Sequence, residues 1–522
     1  MKGILLATAI LLTFTTLPYV WCSLQSPGGT EFSGALAYSD AFNSDLGWLR
    51  QVQDGHVLLT NIYDHHRPRY AFFNGFWVPL GLLSRASGID SIPLFHIARW
   101  SGFLFLVWIF WSGLRRCVEQ TLPRRALLAF FMLGGGFGWM VAGSTWIFLG
   151  KPILAYDLMS ALYPFNQVLL SAHIPVSHGL VIAAAFLWSR GEETRNVRWF
   201  VTAGIVAAFL ASFHPYQIPT LWLGLLIYGA GTMLSDRRGI WTALSNRMPQ
   251  WVWLILIPLP LILYFYWLLH CVAGFASWRS QPPDVPPVWS IPFHLGPLLL
   301  LALWSRKHLH EIRKYPLARV CGALFLGNVL IVHSPVAFGW SRQADVPLIG
   351  LGLLFLAPAV NAKWQHIRRH GCPLWSKWLV IALFILALGD SPLLLAKRTA
   401  TAQSRFPFQV PVELLEVFRD LDSRSDFSTV VLSDPDVGPL IPRYVGARSC
   451  MGHPQVTSDY DQKVSSYQEV VGEPDDSASR NQFVEKYNIG YWITTPNSDR
   501  AAADLPVLFQ AGDFRLRLVG EQ

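Results

Sequence analysis

The sequence predicts a mainly α-helical membrane protein, with a polytopic domain of roughly 11 spans followed by a small extracytoplasmic α/β domain. Three observations carry this. The 522 residues are 52% hydrophobic and 14% aromatic but only 14% charged, and a mean hydropathy of +0.34 lies outside the balance of a soluble globular chain. Apolar runs of roughly 20 residues, the length that crosses a bilayer, recur from the N-terminus to about residue 395 and then stop. The connectors between them alternate in basic content. These readings divide the chain into a transmembrane domain, 1–396, with a large first extracytoplasmic loop at 23–90, and a soluble domain, 397–522.

"MKGILLATAILLTFTTLPYVWCS" begins the chain, with Lys2 as its only basic residue. Its apolar run continues to Trp21 without a small-x-small cleavage signal, so it reads as a retained first span rather than a secretory signal. Further spans are expected near 91–113, 126–147, 174–189, 199–213, 217–234, 250–270, 291–304, 318–333, 346–361 and 377–395. Connectors such as "RRCVEQTLPRR", "SRKHLHEIRKYPLAR" and "NAKWQHIRRHGCPLWSK" are rich in Arg and Lys, whereas "HPYQ" and "HSPVAFGWSRQADVP" are nearly free of them. By the positive-inside rule the basic set is cytoplasmic. The N-terminus is then cytoplasmic, and an odd number of spans places the 23–90 loop and the C-terminal domain together on the opposite side.

The net charge of +8 is spread over these connectors and forms no basic face, which argues against nucleic acid as a partner. Six cysteines without metal or CxxC spacing support neither a disulfide framework nor a zinc site. "GGGFGW" at 134–139 lies inside an expected span, where close helix packing explains it better than phosphate binding. No dinucleotide or Walker fingerprint is present.

The first loop is acidic. "YSDAFNSDLGWLRQVQDGHVLLTNIYDHH" carries Asp40, Asp45, Asp54 and Asp64. Within it "NSDLGWLRQVQDG" predicts a short helix that Asn43 or Ser44 caps and Gly55 stops, with Leu46, Leu49 and Val52 on one face. "YAFFNGFWVPLGLLSRASG" suits an interfacial helix with Tyr70 and Trp77 at headgroup level. Asn74 and Pro79 argue against a full span there. Asp54 and Asp64 read first as solvated loop residues. Asp40 and Asp45 lie near the end of the first span, where a carboxylate can approach a lipid headgroup.

A first span followed by a large acidic loop with interfacial helices resembles the GT-C superfamily of polytopic glycosyltransferases. These include the protein O-mannosyltransferases, the aminoarabinose transferases and uncharacterised bacterial relatives. Asp40 and Asp45, "WLRQVQDGHVLLTNIY", "VPLGLLSRASGIDSIPLFHIARW" and the C-terminal "TVVLSDPDVGPLIPRYVGARSCMGHP" carry the resemblance. The chain departs from well-characterised subfamilies in lacking a contiguous acidic pair after the first span. The resemblance implies a bacterial inner-membrane enzyme moving a sugar from a polyprenyl-phosphate donor to a glycan, lipid or protein acceptor, among membrane lipids. It leaves room for a divalent metal ion and implies no other cofactor.

That chemistry needs a base for the acceptor hydroxyl and positive or donor groups for the departing phosphate. Asp45 is the first candidate base and Asp40 the second. For the phosphate, His96 and Arg99 lie three apart on one face of the second span, and an arginine inside an apolar run points to function or to snorkelling. Arg342, with His333 and Asp345 nearby, is the next candidate set, and a loop ion pair is its structural alternative. Asp157 is a further possible acid, Asp64 a weaker one, and His214 in "SFHPYQIP" a residue of structural or functional use. The histidines show no metal-ligand spacing.

From about 397 the composition turns polar. "STVVLSD" and "IGYWITTP" predict buried strands, "SDYDQKVSSYQEVV" and "ASRNQFVEKYN" helices, and "LPVLFQAGDFRLRLV" a hairpin near Gly512. "GHPQ", with His453, is the polar loop to follow. The rival to a transferase is a non-catalytic envelope polysaccharide transporter or assembly factor, but the chain lacks the paired halves that many transporters show.

Overall fold

The computed structural model describes residues 2–65, 71–149, 162–235, 248, 250–278, 288–333, 347–371, 378, 381–382 and 385–519. In chain order its longer helices are α1 (Lys2–Leu24), α2 (Ser39–Gln53), α3 (Trp77–Ser87), α4 (Ser91–Cys117), α5 (Thr121–Leu133), α6 (Gly138–Leu149), α7 (Pro164–Leu170), α8 (Ile174–Thr194) and α9 (Val197–Ala211). They continue with α10 (Ile218–Ser235), α11 (Leu259–Cys271), α12 (Gly296–Trp304), α13 (Pro316–Val332), α14 (Leu348–His370), α15 (Asp390–Ser404), α16 (Val412–Asp422), α17 (Tyr460–Gly472) and α18 (Ser477–Lys486). The strands are β1 (Thr30–Phe32), β2 (Gln409–Pro411), β3 (Val430–Leu432), β4 (Arg448–Ser449), β5 (Tyr491–Thr494), β6 (Val507–Ala511) and β7 (Phe514–Leu518).

Among the described residues, 5 helices are long and apolar enough to cross a membrane: Gly3–Leu24, Ser91–Cys117, Pro215–Leu234, Trp253–Cys271 and Leu348–His370. Two bent pairs raise this to as many as 7 if each is one span. Of the other expected spans, 174–189 falls on the 21-residue α8 and 199–213 on the shorter α9, while 377–395 lies partly outside the described residues. The chain is a multi-helix membrane protein.

It divides into two compact units. The first comprises Met1–Thr16, His96–Phe265 and Pro282–Lys397, and it is helical throughout its described residues. Small residues set its close contacts. A Cβ on Gly327 of α13 would lie 3.2 Å from the Gly224 backbone nitrogen of α10, the approach that glycine permits between apolar helices. The "GGGFGW" segment forms the break between α5 and α6, which bend by 45°. The Gly135 N–H donates to the Ala387 carbonyl at 2.6 Å, and the Trp139 N–H at the start of α6 donates to Asp390 Oδ1 at 2.8 Å. Asp390 is buried and caps α6 from another part of the chain, satisfying one of the helix's orphan donors. A Cβ on Gly135 would sit 2.5 Å from Asp390 Cβ, so the glycine is there to admit the carboxylate.

The second unit comprises Leu17–Phe95, Tyr266–Gln281 and Arg398–Gln522. Its sheet has the order β4-β3-β5-β7-β6, with β3 parallel to β4 and β5, and β7 antiparallel to β5 and β6. The two expected strands are β3 and β5. The expected hairpin is β6 and β7, turning at Gly512 with φ 55°. Side-chain alternation sorts the strands between two cores. Val431, Tyr491, Ile493 and Leu516 pack with Leu414, Phe418 and Leu421 of α16; Val430, Leu432 and Trp492 pack with Tyr467 and Val470 of α17 and Phe483 of α18. Helices therefore cover both faces, as parallel strands require.

The same unit holds the acidic loop. Strand β1 pairs antiparallel with β2, Glu31 opposite Val410. Helix α2 buries Phe42, Leu46, Leu49 and Val52. It begins at Ser39, four residues before the expected cap. Asn43 and Ser44 do not cap it: Asn43 Nδ2 donates back to the Ser39 carbonyl at 2.7 Å and Ser44 Oγ to the Asp40 carbonyl at 2.8 Å, the back-bonding open to such residues inside a helix. Gly55, at φ 106°, lies just beyond its end, as expected. Helix α3 starts where the Asn74 side chain accepts from the Phe76 and Trp77 amides. Its 11 residues rise only about 16 Å, too short to span a bilayer.

Alanine at Gly135 is expected to lower stability by about 1–3 kcal/mol through overpacking against Asp390. Gly143, in α6, has nothing within 4 Å of its would-be Cβ, and alanine there should leave stability unchanged or raise it slightly. Apparent Tm values of the detergent-purified variants check both.

Candidate functional site

Asp40 occupies the first turn of α2, where a carboxylate is favoured by the positive end of the helix. The residue before this turn's Ser39, Tyr38, is left-handed with φ 48° and ψ 53°, a conformation that costs a non-glycine residue about 1–2 kcal/mol. Tyr38 is held by the Arg398 guanidinium 5.0 Å over its ring. This strained entry sets the direction in which α2 leaves the chain and hence where Asp40 stands.

Asp40 is 37% exposed at its side chain, and its Oδ2 lies 3.7 Å from His453 Nε2, which is only 4% exposed. His453 Nδ1 accepts the Gln455 backbone N–H at 3.0 Å. The Tyr63 ring packs 6.5 Å from the imidazole. Tyr63 is completely buried; its hydroxyl lies 2.9 Å from Ser44 Oγ and donates to the Pro439 carbonyl at 3.2 Å. Burial, and after it the charges of Asp40 and Asp45, push its phenol far above the ordinary range, so Tyr63 stays neutral beside both carboxylates. Asp40 also bears electrostatically on Tyr460, whose phenol burial raises.

Asp45 lies on the same helix, partly buried, five residues on and so about 140° around the axis from Asp40. Asp64 is buried at 5%; it accepts from Ser458 Oγ at 3.1 Å, and its backbone carbonyl accepts from Arg448 Nη1 at 3.0 Å. Asp54 pairs with Arg50 at 2.9 Å, and Arg50 also reaches Asp422 at 3.0 Å. The structure thus brings Asp40, Asp45 and His453 around Tyr63 and gives Asp54 a structural pairing.

The other described candidates, Arg99, His96, His333 and His214, lie in the first unit. Arg99 is 0% exposed. Its Nη1 donates to the Thr15 carbonyl at 3.1 Å and the Val168 carbonyl at 3.0 Å, and its Nη2 to Thr16 Oγ1 at 2.9 Å. One guanidinium thereby ties α4 to α1 and α7. His96, one turn earlier, packs 6.3 Å from the Trp100 ring. His333 follows α13 and stacks on His294, their Nε2 atoms 3.3 Å apart. The His294 carbonyl accepts from the Tyr163 hydroxyl at 2.6 Å. His214 is buried, hydrogen-bonded to the Tyr216 hydroxyl, and 4.9 Å from the His173 ring. Arg342 and Asp157 lie outside the described residues. Sequence reasoning missed Tyr63 and His294, which carry no local motif. Among the described residues no group of three or more His, Cys, Asp or Glu is arranged to hold a metal ion.

No protein-family model matches the chain, and no curated protein matches it in sequence. Solved structures do. ArnT from Cupriavidus metallidurans bound to undecaprenyl phosphate superposes with TM-score 0.53 at 12% identity, over 100% of this chain and 99% of that one. The archaeal oligosaccharyltransferase AglB from Archaeoglobus fulgidus, in complex with an inhibitory peptide and a dolichol-phosphate, gives TM-score 0.50 at 13% identity, over 94% of this chain and 69% of that one. Arabinofuranosyltransferase AftD from Mycobacteria gives 0.50 at 12% identity, covering 100% of this chain and 42% of that one. At these identities the likeness establishes a shared fold and nothing further.

Replacing Arg99 by Met keeps much of its bulk but strands the carbonyls it serves. The expected cost is about 2–4 kcal/mol, from the loss of several hydrogen bonds to a charged donor. A matching fall in the apparent Tm of purified protein checks it.

Proposed function

We propose that this chain is a membrane glycosyltransferase moving a sugar from a polyprenyl-phosphate-linked donor to a glycan, lipid or protein acceptor on the extracytoplasmic side. The observation that carries the reading is Asp40. Within a GT-C fold, a half-exposed carboxylate stands on the first turn of a short helix after the first apolar helix, with buried His453 at 3.7 Å. A carboxylate so placed combines access to substrate with a fixed position, as a general base requires.

In this reading Asp40 takes the proton of the acceptor hydroxyl as the acceptor oxygen bonds to the anomeric carbon. The bond from that carbon to the phosphate oxygen breaks, and polyprenyl phosphate leaves with the electron pair. One displacement inverts the anomeric centre. Asp45 supplies a second negative charge nearby and is the alternative base. On sequence grounds His96, His333 and Arg342 are proposed as lipid-phosphate-binding residues, Arg342 lying outside the described residues. Arg99, whose Nη groups are engaged by two carbonyls and a hydroxyl, fixes helix positions within the first unit. The alternating basic connectors support a cytoplasmic N-terminus and an extracytoplasmic second unit.

Untargeted lipid mass spectrometry on cells with the wild-type chain, without it, and with Asp40→Asn or Asp45→Asn at matched protein level tests this. Loss of the base should slow transfer by about 10²- to 10⁴-fold, so the deletion and Asp40→Asn should accumulate the same polyprenyl-phospho-sugar. Accumulation in Asp45→Asn alone would move the base to Asp45. An unchanged pool in the deletion would remove the transferase reading.

A further inference from the structure

We infer that His453 is a positioning residue for the Asp40 carboxylate, acting through a proton held on Nε2. The inference rests on the reading of Asp40 as the base and adds to it what holds that base.

The protonation pattern follows from one hydrogen bond. A backbone N–H only donates, so His453 Nδ1, 3.0 Å from the Gln455 nitrogen, must be the acceptor. A neutral imidazole has one acceptor and one donor nitrogen, and the proton therefore resides on Nε2. That is the nitrogen facing Asp40 Oδ2. At 3.7 Å the pair is somewhat longer than a hydrogen bond. The two partners differ in freedom: the imidazole is walled in at 4% exposure, while the carboxylate at 37% can swing. A rigid donor beside a mobile carboxylate holds one carboxylate oxygen and leaves the other to receive the acceptor's proton. His453 keeps its own proton throughout.

The loop around His453 is built to keep the ring in place. Its carbonyl accepts from the Val456 and Thr457 amides at 3.0 and 2.9 Å, and the Gly452 N–H donates to Thr457 Oγ1 at 3.2 Å. Gly452 has to be glycine because a Cβ there would overlap the Tyr63 ring. Asn61 Nδ2 donates to the Val456 carbonyl at 3.0 Å, fastening the far side of the loop to the residues beside Tyr63. A ring needed only for packing would not require a bond that selects its tautomer.

Two full-length variants separate donor from bulk. His453→Gln retains an N–H donor in about the same place, and His453→Phe retains the ring but has no donor. With both expressed at wild-type level in cells lacking the native chain, lipid mass spectrometry reads the polyprenyl-phospho-sugar pool beside Asp40→Asn. His453→Phe should slow transfer about 10- to 100-fold, the worth of a hydrogen bond to a charged group, and accumulate the lipid. His453→Gln should stay near wild type. If Asp40→Asn accumulates the lipid and His453→Phe does not, or if Gln and Phe fail equally, the positioning role is overturned while the base stands. If Asp40→Asn leaves the pool unchanged, the base itself falls. Independently of turnover, ¹⁵N-histidine NMR of the purified full chain should show, for the signals missing in His453→Phe, a protonated Nε2 and a hydrogen-bonded, unprotonated Nδ1. The opposite tautomer overturns the inference.

Discussion

The contact on which the second unit's site depends is the clamp between α2 and the chain beyond residue 398. Arg443 lies at its centre: Nη1 donates to the Ser33 carbonyl at 2.7 Å and to Asn43 Oδ1 at 2.8 Å, and its guanidinium stacks 4.4 Å over the Tyr444 ring. At the other end of α2, Arg50 reaches Asp422. Between them Gly47 lets the helix lie against Pro442, where a Cβ would come within 3.1 Å of the proline Cβ. Burial disfavours the charge on Arg443 and shifts its affinity for protons downward, so its hydrogen bonds and ring contacts are what make a cation tolerable there. Without this clamp, a 15-residue helix with a strained entry at Tyr38 would be marginal on its own.

The clamp explains why an acidic loop and a polar C-terminal segment occur in one membrane protein. The loop supplies Tyr63 and the carboxylates, and the C-terminal segment supplies groups beside them: the Pro439 carbonyl at Tyr63, His453 near Asp40 and Ser458 at Asp64. In the first unit, Arg99 and Asp390 do comparable work. Each is buried and charged or polar, and each serves a helix end, Arg99 the Val168 carbonyl in the last turn of α7 and Asp390 an amide at the start of α6. Both show how an apolar helical assembly tolerates broken helices by bringing in side chains from distant parts of the chain.

Much of this was legible in the sequence. The apolar runs, the helix after the first span, its stop at Gly55, the interruption at Asn74 and the strands around Val431 and Trp492 all follow from local pattern. The start of α2 was not, because Asn43 and Ser44 look like caps and only the three-dimensional structure shows their side chains turned back to Ser39 and Asp40. The glycines at 134–136 announced a close approach but not that Asp390, some 250 positions on, is what approaches. The loop containing His453 stood out as polar, yet nothing in periodicity or spacing links it to Asp40, 413 positions earlier. Pairings between distant segments are set by the packed fold, and one sequence does not print them.

Asp40 and His453 are proposed to act as one unit. A double-substitution cycle tests this directly, by following the loss of labelled polyprenyl-phospho-sugar in cells carrying Asp40→Asn, His453→Phe or both. Groups that act together give non-additive losses. The double variant should turn over no more slowly than Asp40→Asn alone; losses that multiply would show the two residues acting independently and would overturn the pairing.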